Sequence, residues 1–261
     1  MTSPGDPVSI TLGAGGDHRL GRHRWHDPRS RAFNVRTLLP STALPVAPVT
    51  WVRHGALFDQ GACPVADLTR LGADPTRRGV GCCTMCAAFG LFMTEPFYRP
   101  DAPSISMSDV LDGYHAETVA DDPIIPGIWP PVDPGGCGLA AMKVLQGLGL
   151  IASYAHAFSL GDTLAALAAG PLAVGTRWYS SMFAPVDRDG RAVLEIGSTA
   201  TVVGGHEYVL DRIDPVAAMV GMTNSWGASW GSAGTAWMSY DTLARLLDEG
   251  GDAVMPVLPV R

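Results

Sequence analysis

His206 stands behind two glycines, Gly204 and Gly205, at the start of an apolar run, and 18 residues later comes the turn-like sequence Asn224-Ser225-Trp226-Gly227. An imidazole can carry a proton, and an amide side chain can fix its tautomer and direction without adding a charge. Far upstream lie Asp59-Gln60-Gly61 and the cluster Cys82-Cys83-Thr84-Met85-Cys86. A thiol that attacks a carbonyl needs a thiolate, a proton carrier beside it, a group to orient that carrier, and donors for the developing oxyanion. The chain offers a candidate for each: a cysteine of the cluster, His206, Asn224, and the Gln60 side-chain amide with a backbone N–H. The chemistry such a set performs is acyl transfer through a thioester.

The elements that hold these residues are legible in outline. Cys83 to Met93 reads as a buried helix, apolar nearly all round, with Ala87, Ala88 and Gly90 permitting close packing and Glu95-Pro96 closing it. Gly138 to Leu148 reads as a second helix, with Leu139, Met142 and Leu145 on one stripe. Ser159 and Asp162 form a capping pair for a third, ended by Gly170-Pro171. Short apolar runs then follow at 172–175, 200–203, 207–213, 218–221 and 235–238, read as strands of an antiparallel sheet, with Asp189-Gly190 as a turn and a last helix from Thr242 to Asp248. Residues 99–136 are rich in Pro and Asp and read as irregular surface, as does the stretch from Pro64 to Arg78. Helices first and strands later predict an α+β protein of two lobes.

The bulk numbers restrict the partners. The 261 residues are 47% hydrophobic and 16% charged, with a net charge of −7, enough chain for one large domain or two small lobes. No basic face is expected, so nucleic acid and anionic membranes are not expected partners. No apolar run reaches the roughly 20 residues of a bilayer span, and Met1–Pro7 lacks the features of a secretory signal. Five cysteines, three of them between 82 and 86, do not form an evenly spaced disulfide framework, and free thiols in a reducing compartment are the simpler expectation. Residues 1–48 show no periodicity and read as an extended arm; its His18, His23 and His26, with Asp27, read as solvated rather than as metal ligands. A Zn²⁺ site from Cys82, Cys83, Cys86 and Cys63 or Cys137 is disfavoured because adjacent cysteines do not easily face one ion, so no metal and no cofactor are expected. The sequence leaves the oligomeric state open.

In order and type, Gln60, the cysteine cluster, His206 and Asn224-Ser225-Trp226-Gly227 resemble the papain-like (clan CA, C1-type) cysteine peptidases, in the form carried by bacteria and phages, over about residues 49–250. The resemblance implies a two-lobe fold, with a helical left lobe over about 49–165, a β-barrel-like right lobe of antiparallel strands over about 166–261, and the cleft between them. It implies a peptide or protein substrate and a cytoplasmic or virion-associated setting. Two registers compete for the nucleophile. Gly81-Cys82-Cys83-Thr84 matches the bacterial form and makes it Cys83; Cys83-Thr84-Met85-Cys86-Ala87 matches the plant and animal form and makes it Cys86. Cys83 follows Gly79-Val80-Gly81 and can open the helix, where the dipole favours thiolate by at most about 2 kcal/mol. A papain-type thiol, at a pKa of about 3–4 against about 8.5 when free, requires about 6–7 kcal/mol, so His206 must supply most of it.

From the resemblance, Gln60 contributes to the oxyanion hole, Gly135 and Gly136 offer backbone to the substrate, Trp226 covers the His206–Asn224 bond and Trp230 lines the leaving-group side. The chain departs from the pattern in one respect: Gln60 and Cys83 are 23 residues apart, much further than in the family, which implies a surface insertion. Cys63 and Cys137 stand where relatives often carry a disulfide pair, and a bridge is the alternative to reduced thiols. Residues 1–48 do not resemble the helical, charged propeptides of many relatives. A catalytically inert descendant, serving as a binding or virion structural protein, is the alternative function.

Overall fold

A computed structural model describes residues 9–11, 17–39, 44–121 and 124–259; the Met1–Pro7 segment and the side chain of His18 lie outside the described residues. The arm opens with a two-stranded ribbon, β1 (Ser9–Thr11) and β2 (Asp17–Arg19), followed by two short 3₁₀ turns, Pro28–Ala32 and Val35–Thr37. Asp27 and Asn34 cap those turns with side-chain oxygens, which is how a segment without periodicity is held in one conformation.

After β3 (Val49–Thr50) come four helices: α1 (Val65–Leu71), α2 (Cys83–Phe92), α3 (Met107–Asp121) and α4 (Gly138–Gly147). Helix α2 is the axis of this half. Every residue from Cys83 to Leu91 is buried, as a helix apolar on all sides must be. Its Met85 and Leu91 form one core with Leu68, Val110, Leu111, Leu139, Met142 and Leu145 around it. Two stretches read as irregular contain helices. Helix α1 lies inside the 64–78 insertion, and α3 spans 15 residues of the 99–136 region. The mean hydropathy of α3 is near neutral, and its buried positions include Gly113, Tyr114, Glu117, Thr118 and Asp121, so polar residues carry a face that periodicity assigns to apolar ones.

The second half begins with β4 (Ser153–Ala157) and α5 (Leu160–Leu167), whose Ser159 cap accepts from the Asp162 N–H at 3.2 Å as the capping pair predicts. The strands β5 (Leu172–Tyr179), β6 (Val186–Arg188), β7 (Arg191–Val193), β8 (Val202–Asp214), β9 (Met219–Thr223) and β10 (Thr235–Ser239) follow, then α6 (Tyr240–Asp248) and β11 (Asp252–Val257). The end of the apolar run at 200–203 and the whole of that at 207–213 lie in one 13-residue strand, β8. The Asp189-Gly190 turn joins β6 to β7 with both residues at positive φ, the geometry a tight hairpin demands.

The sheet runs β4-β11-β5-β8-β9-β10-β7-β6, with β3 also on β8, and only the β10–β7 pair is parallel. It is open, which corrects the barrel-like expectation. One edge, β4, is covered by the arm, where His156 N–H donates to Phe33 O, so no closure is needed to satisfy that end. A second core, with Trp178, Tyr208, Leu210, Met222, Trp226 and Leu246 among its members, lies on this sheet and includes residues of β4 and α5. No helix among the described residues is long and apolar enough to cross a membrane.

Candidate active site

Cys83 is the first residue of α2 and is fully buried. Helix α2 packs on β8, and the backbone N–H groups of Glu207, the residue after His206, and of Gly21 in the arm act on the Cys83 sulfur to favour its thiolate. Burial, with the charge of Glu207, pushes this thiol up to about 12 despite those two donors. Near neutral pH it is therefore held as a thiol, whereas the sequence predicts a thiolate at the helix terminus. Cys86 lies one turn deeper, its sulfur 3.9 Å from that of Cys82 and in reach of Ser225; burial raises it as well.

His206, on β8, and Asn224, at the end of β9, come together across neighbouring strands. The ring Nε2 donates to Asn224 Oδ1 at 2.7 Å, and the Ser225 N–H donates to the same oxygen at 2.8 Å. Two donors identify that atom as the oxygen, so a neutral ring carries its proton on Nε2 and keeps Nδ1 as its basic atom. Trp226 stacks on the imidazole at 4.5 Å between centroids, and Trp178 meets it edge-on at 4.9 Å. Both indoles are buried, and with Trp230 they wall the ring off from water. Trp178 on β5 is buried in the sheet core, as are Tyr179 and Met182 beyond it. Trp230 is buried, donates from its indole to Phe183 O at 2.9 Å, and borders a groove with Phe183, Pro185 and Ser229.

The insertion does not carry Gln60 away. Its backbone N–H bonds to Ser225 O, its O accepts from Val80 N–H, and its side-chain Oε1 accepts from the Ser225 hydroxyl at 2.9 Å. The Nε2 group donates to the carbonyl of Arg19. That carbonyl belongs to the arm, which runs through the site. Gly136 N–H donates to Gly21 O at 2.7 Å, His23 N–H to Gly136 O at 3.0 Å, and Arg22 N–H to Gly205 O at 3.1 Å. The glycines serve this approach. A Cβ on Gly135 would fall 2.3 Å from Gly21 O, and one on Gly205 would fall 2.5 Å from Arg22 O. A polypeptide in extended form thus lies between Gly135-Gly136 and Gly204-Gly205, with one of its carbonyls on the Gln60 amide.

Comparison with solved structures gives the same arrangement a context. Xylellain, a cysteine protease from Xylella fastidiosa, superposes at a TM-score of 0.64 with 18% identity, covering 97% of this chain and all of its own. Bromelain from Ananas comosus, in complex with the E64 inhibitor, gives 0.52 with 13% identity over 80% of this chain and 99% of its own. Amb a 11, a ragweed pollen cysteine protease in its proform, gives 0.54 with 14% identity over 84% and 67%. The fold is papain-like. No family model and no curated protein matches the sequence.

Within this papain-like fold the five cysteines are free thiols. The bridge alternative for Cys63 and Cys137 is not realised: Cys63 lies against Cys82, while Cys137 faces Asp121 at 3.9 Å. Nor do the arm histidines stand in solvent. His23 and His26 are half-buried and bond to the carbonyls of Pro134 and Gly250. Among the described residues, His23, Asp121 and Cys137 are the one group of three or more whose ligand atoms all lie within 4.8 Å of one another, and it contains none of the clustered cysteines.

Proposed function

We propose that the chain is a cysteine peptidase that hydrolyses peptide bonds through Cys83, His206 and Asn224. The observation that carries this reading is the 2.7 Å bond from His206 Nε2 to Asn224 Oδ1 beneath Trp226. It prepares an imidazole with its basic nitrogen on the side away from Asn224, while Cys83 opens the helix packed on the same strand. A backbone segment held along Gly135-Gly136, with a carbonyl on Gln60, supports the assignment of those residues to substrate and oxyanion binding.

In the proposed reaction His206 takes the Cys83 proton, and the sulfur attacks the scissile carbonyl carbon. The oxyanion rests on the Gln60 amide and the Cys83 N–H. The C–N bond breaks as imidazolium gives its proton to the leaving amine, whose side of the cleft Trp230 lines. Water, deprotonated by His206, then attacks the thioester, and the C–S bond breaks to return the thiol and release the acid. The buried thiol, held up at about 12, describes the resting protein, so the arm must lift before the first step.

An epoxysuccinyl inhibitor tests the reading. A stoichiometric adduct on Cys83, lost in Cys83→Ala, together with peptide cleavage by the unmodified protein, supports it. An adduct on Cys86 moves the nucleophile to the other register. If folded protein with its arm released neither cleaves peptides nor labels at any cysteine, the chain is an inert binding protein.

A further inference from the structure

Arg22 is fixed at the backbone between the two walls of the cleft, bridging to Gly205 on one side and to Gly136 on the other. Its side chain does not follow the cleft. It turns inward and is completely buried, in a pocket that exists because position 175 has no side chain: a Cβ on Gly175 would fall 1.8 Å from Arg22 Nε. Two carboxylates meet it there. Arg22 Nη2 lies 2.5 Å from Asp252 Oδ1, and Nε lies 3.6 Å from Glu207 Oε2. Asp252 is itself held by His156 Nδ1 at 2.8 Å.

The fit is incomplete. Neither Glu207 oxygen has a hydrogen-bond partner among the described residues, and neither has Arg22 Nε, although all three atoms are buried. Stability gives no reason for this arrangement, since a buried ion pair is often no better than apolar residues of the same volume. A site meant to receive and release a cationic side chain has such a reason. Glu207 follows His206 on β8 and its charge acts on the Cys83 thiol, which sets the pocket beside the proposed reacting centre.

We propose that Asp252 and Glu207 form the specificity pocket of the cleft, that it takes an arginine or lysine side chain of a peptide substrate, and that Arg22 fills it in the resting protein. The assignment rests on the peptidase reading for its role in cleavage, but not for its ligand. Arg22 is then a tethered occupant: the arm enters by main-chain hydrogen bonds, as any extended peptide does, and leaves its own guanidinium in the acidic site.

Two measurements on the full-length chain separate the pocket from the peptidase. In Arg22→Ala, confirmed as folded by circular dichroism, agmatine binds saturably in calorimetry. The unmodified protein and Arg22→Ala with Asp252→Asn bind it at least about tenfold more weakly, a difference of about 1.4 kcal/mol. If Arg22→Ala does not fold, Arg22→Met keeps the length of the side chain without its charge. No saturable binding of agmatine to either folded variant overturns the pocket, whatever the protein cleaves. The second measurement is a positional scan of peptides with Arg, Lys, Leu or Ala at each residue flanking the cleaved bond. Arg or Lys at one position raises kcat/KM at least about tenfold over Leu, and Asp252→Asn removes that preference. Cleavage with no preference for a basic residue at any position overturns the proposal while leaving the peptidase standing. Agmatine binding without cleavage of any peptide upholds the cation site and overturns the peptidase.

Discussion

Gly21→Ala isolates the arm from the site it covers. A Cβ at this position would lie 1.8 Å from Gly81 O and 2.2 Å from Gly81 C, both backbone atoms that cannot rotate away. The arm must therefore lift by more than an ångström, which breaks the bonds that Gly21 O, Arg22 N–H and His23 N–H make to Gly136 and Gly205. At about 1 kcal/mol each, their loss shifts the docked-to-released ratio by about 3 kcal/mol, or roughly a hundredfold. The effect on the thiol is separate. Pushed up to about 12 by burial and Glu207, Cys83 is a thiolate in only about one molecule in ten thousand near pH 8, against about a quarter for a free thiol. Alkylation of Cys83 by iodoacetamide, followed by peptide mass spectrometry, should accelerate between about a hundredfold and a thousandfold in Gly21→Ala. Tryptic cleavage after Arg22 or Arg24 reports arm release independently. If the arm is released and Cys83 labelling stays within roughly threefold of the unmodified protein, burial of the sulfur has another cause and the reasoning fails.

Other residues yield sharper or broader tests. Gln60→Glu keeps the acceptor that the Ser225 hydroxyl uses but removes the donor, so kcat should fall by about 10²–10³ with KM little changed, as steady-state kinetics on a cleaved peptide will show. Glu117 bonds to the Thr84 hydroxyl and the Cys137 N–H, and its carboxyl is pushed up to about 8 by burial, against the pull of those bonds and with the aid of Asp121. The folded state therefore keeps a proton that the unfolded chain has lost above about pH 4.3, and stability falls as pH rises toward 8, by up to roughly 5 kcal/mol. Glu117→Gln should flatten that part of the denaturation profile; an unchanged slope would assign the loss to other groups. Trp226→Ala empties a fully buried site between His206, Phe183 and Trp178 and should cost about 3–5 kcal/mol in urea unfolding.

The parts of the site legible in the sequence are those encoded within a few residues. Asn224-Ser225-Trp226-Gly227 carries its own turn, so the amide and the indole reach His206 together, and 18 residues is the length of one hairpin from β8 to β9. Cys83 begins its helix where Gly81 ends the preceding turn, and the capped helices at 160 and 240 start where Ser159 and Ser239 accept the first free N–H groups. Helix α3 was hidden because its inward face is built from Gly113, Tyr114, Glu117 and Thr118, and the strands β4 and β11 because Ser, Ala and His in the one and Pro256 in the other carry little strand signal.

Residue type and local spacing were thus enough to nominate the proposed site: a cysteine, an imidazole, an amide to orient it and an amide for the oxyanion. Tertiary structure alone decided what lies on top of them. The arm is held by main-chain hydrogen bonds, which every residue can make and no composition records. Its charged contacts, Arg22 to Asp252 across 230 residues, Arg19 to Asp133 and Arg36 to Asp162, are pairings with no local signature. The buried thiol follows from that docking, and the acidic pocket from the pairing of β5, β8 and β11, which only the folded chain brings to one place with the arm.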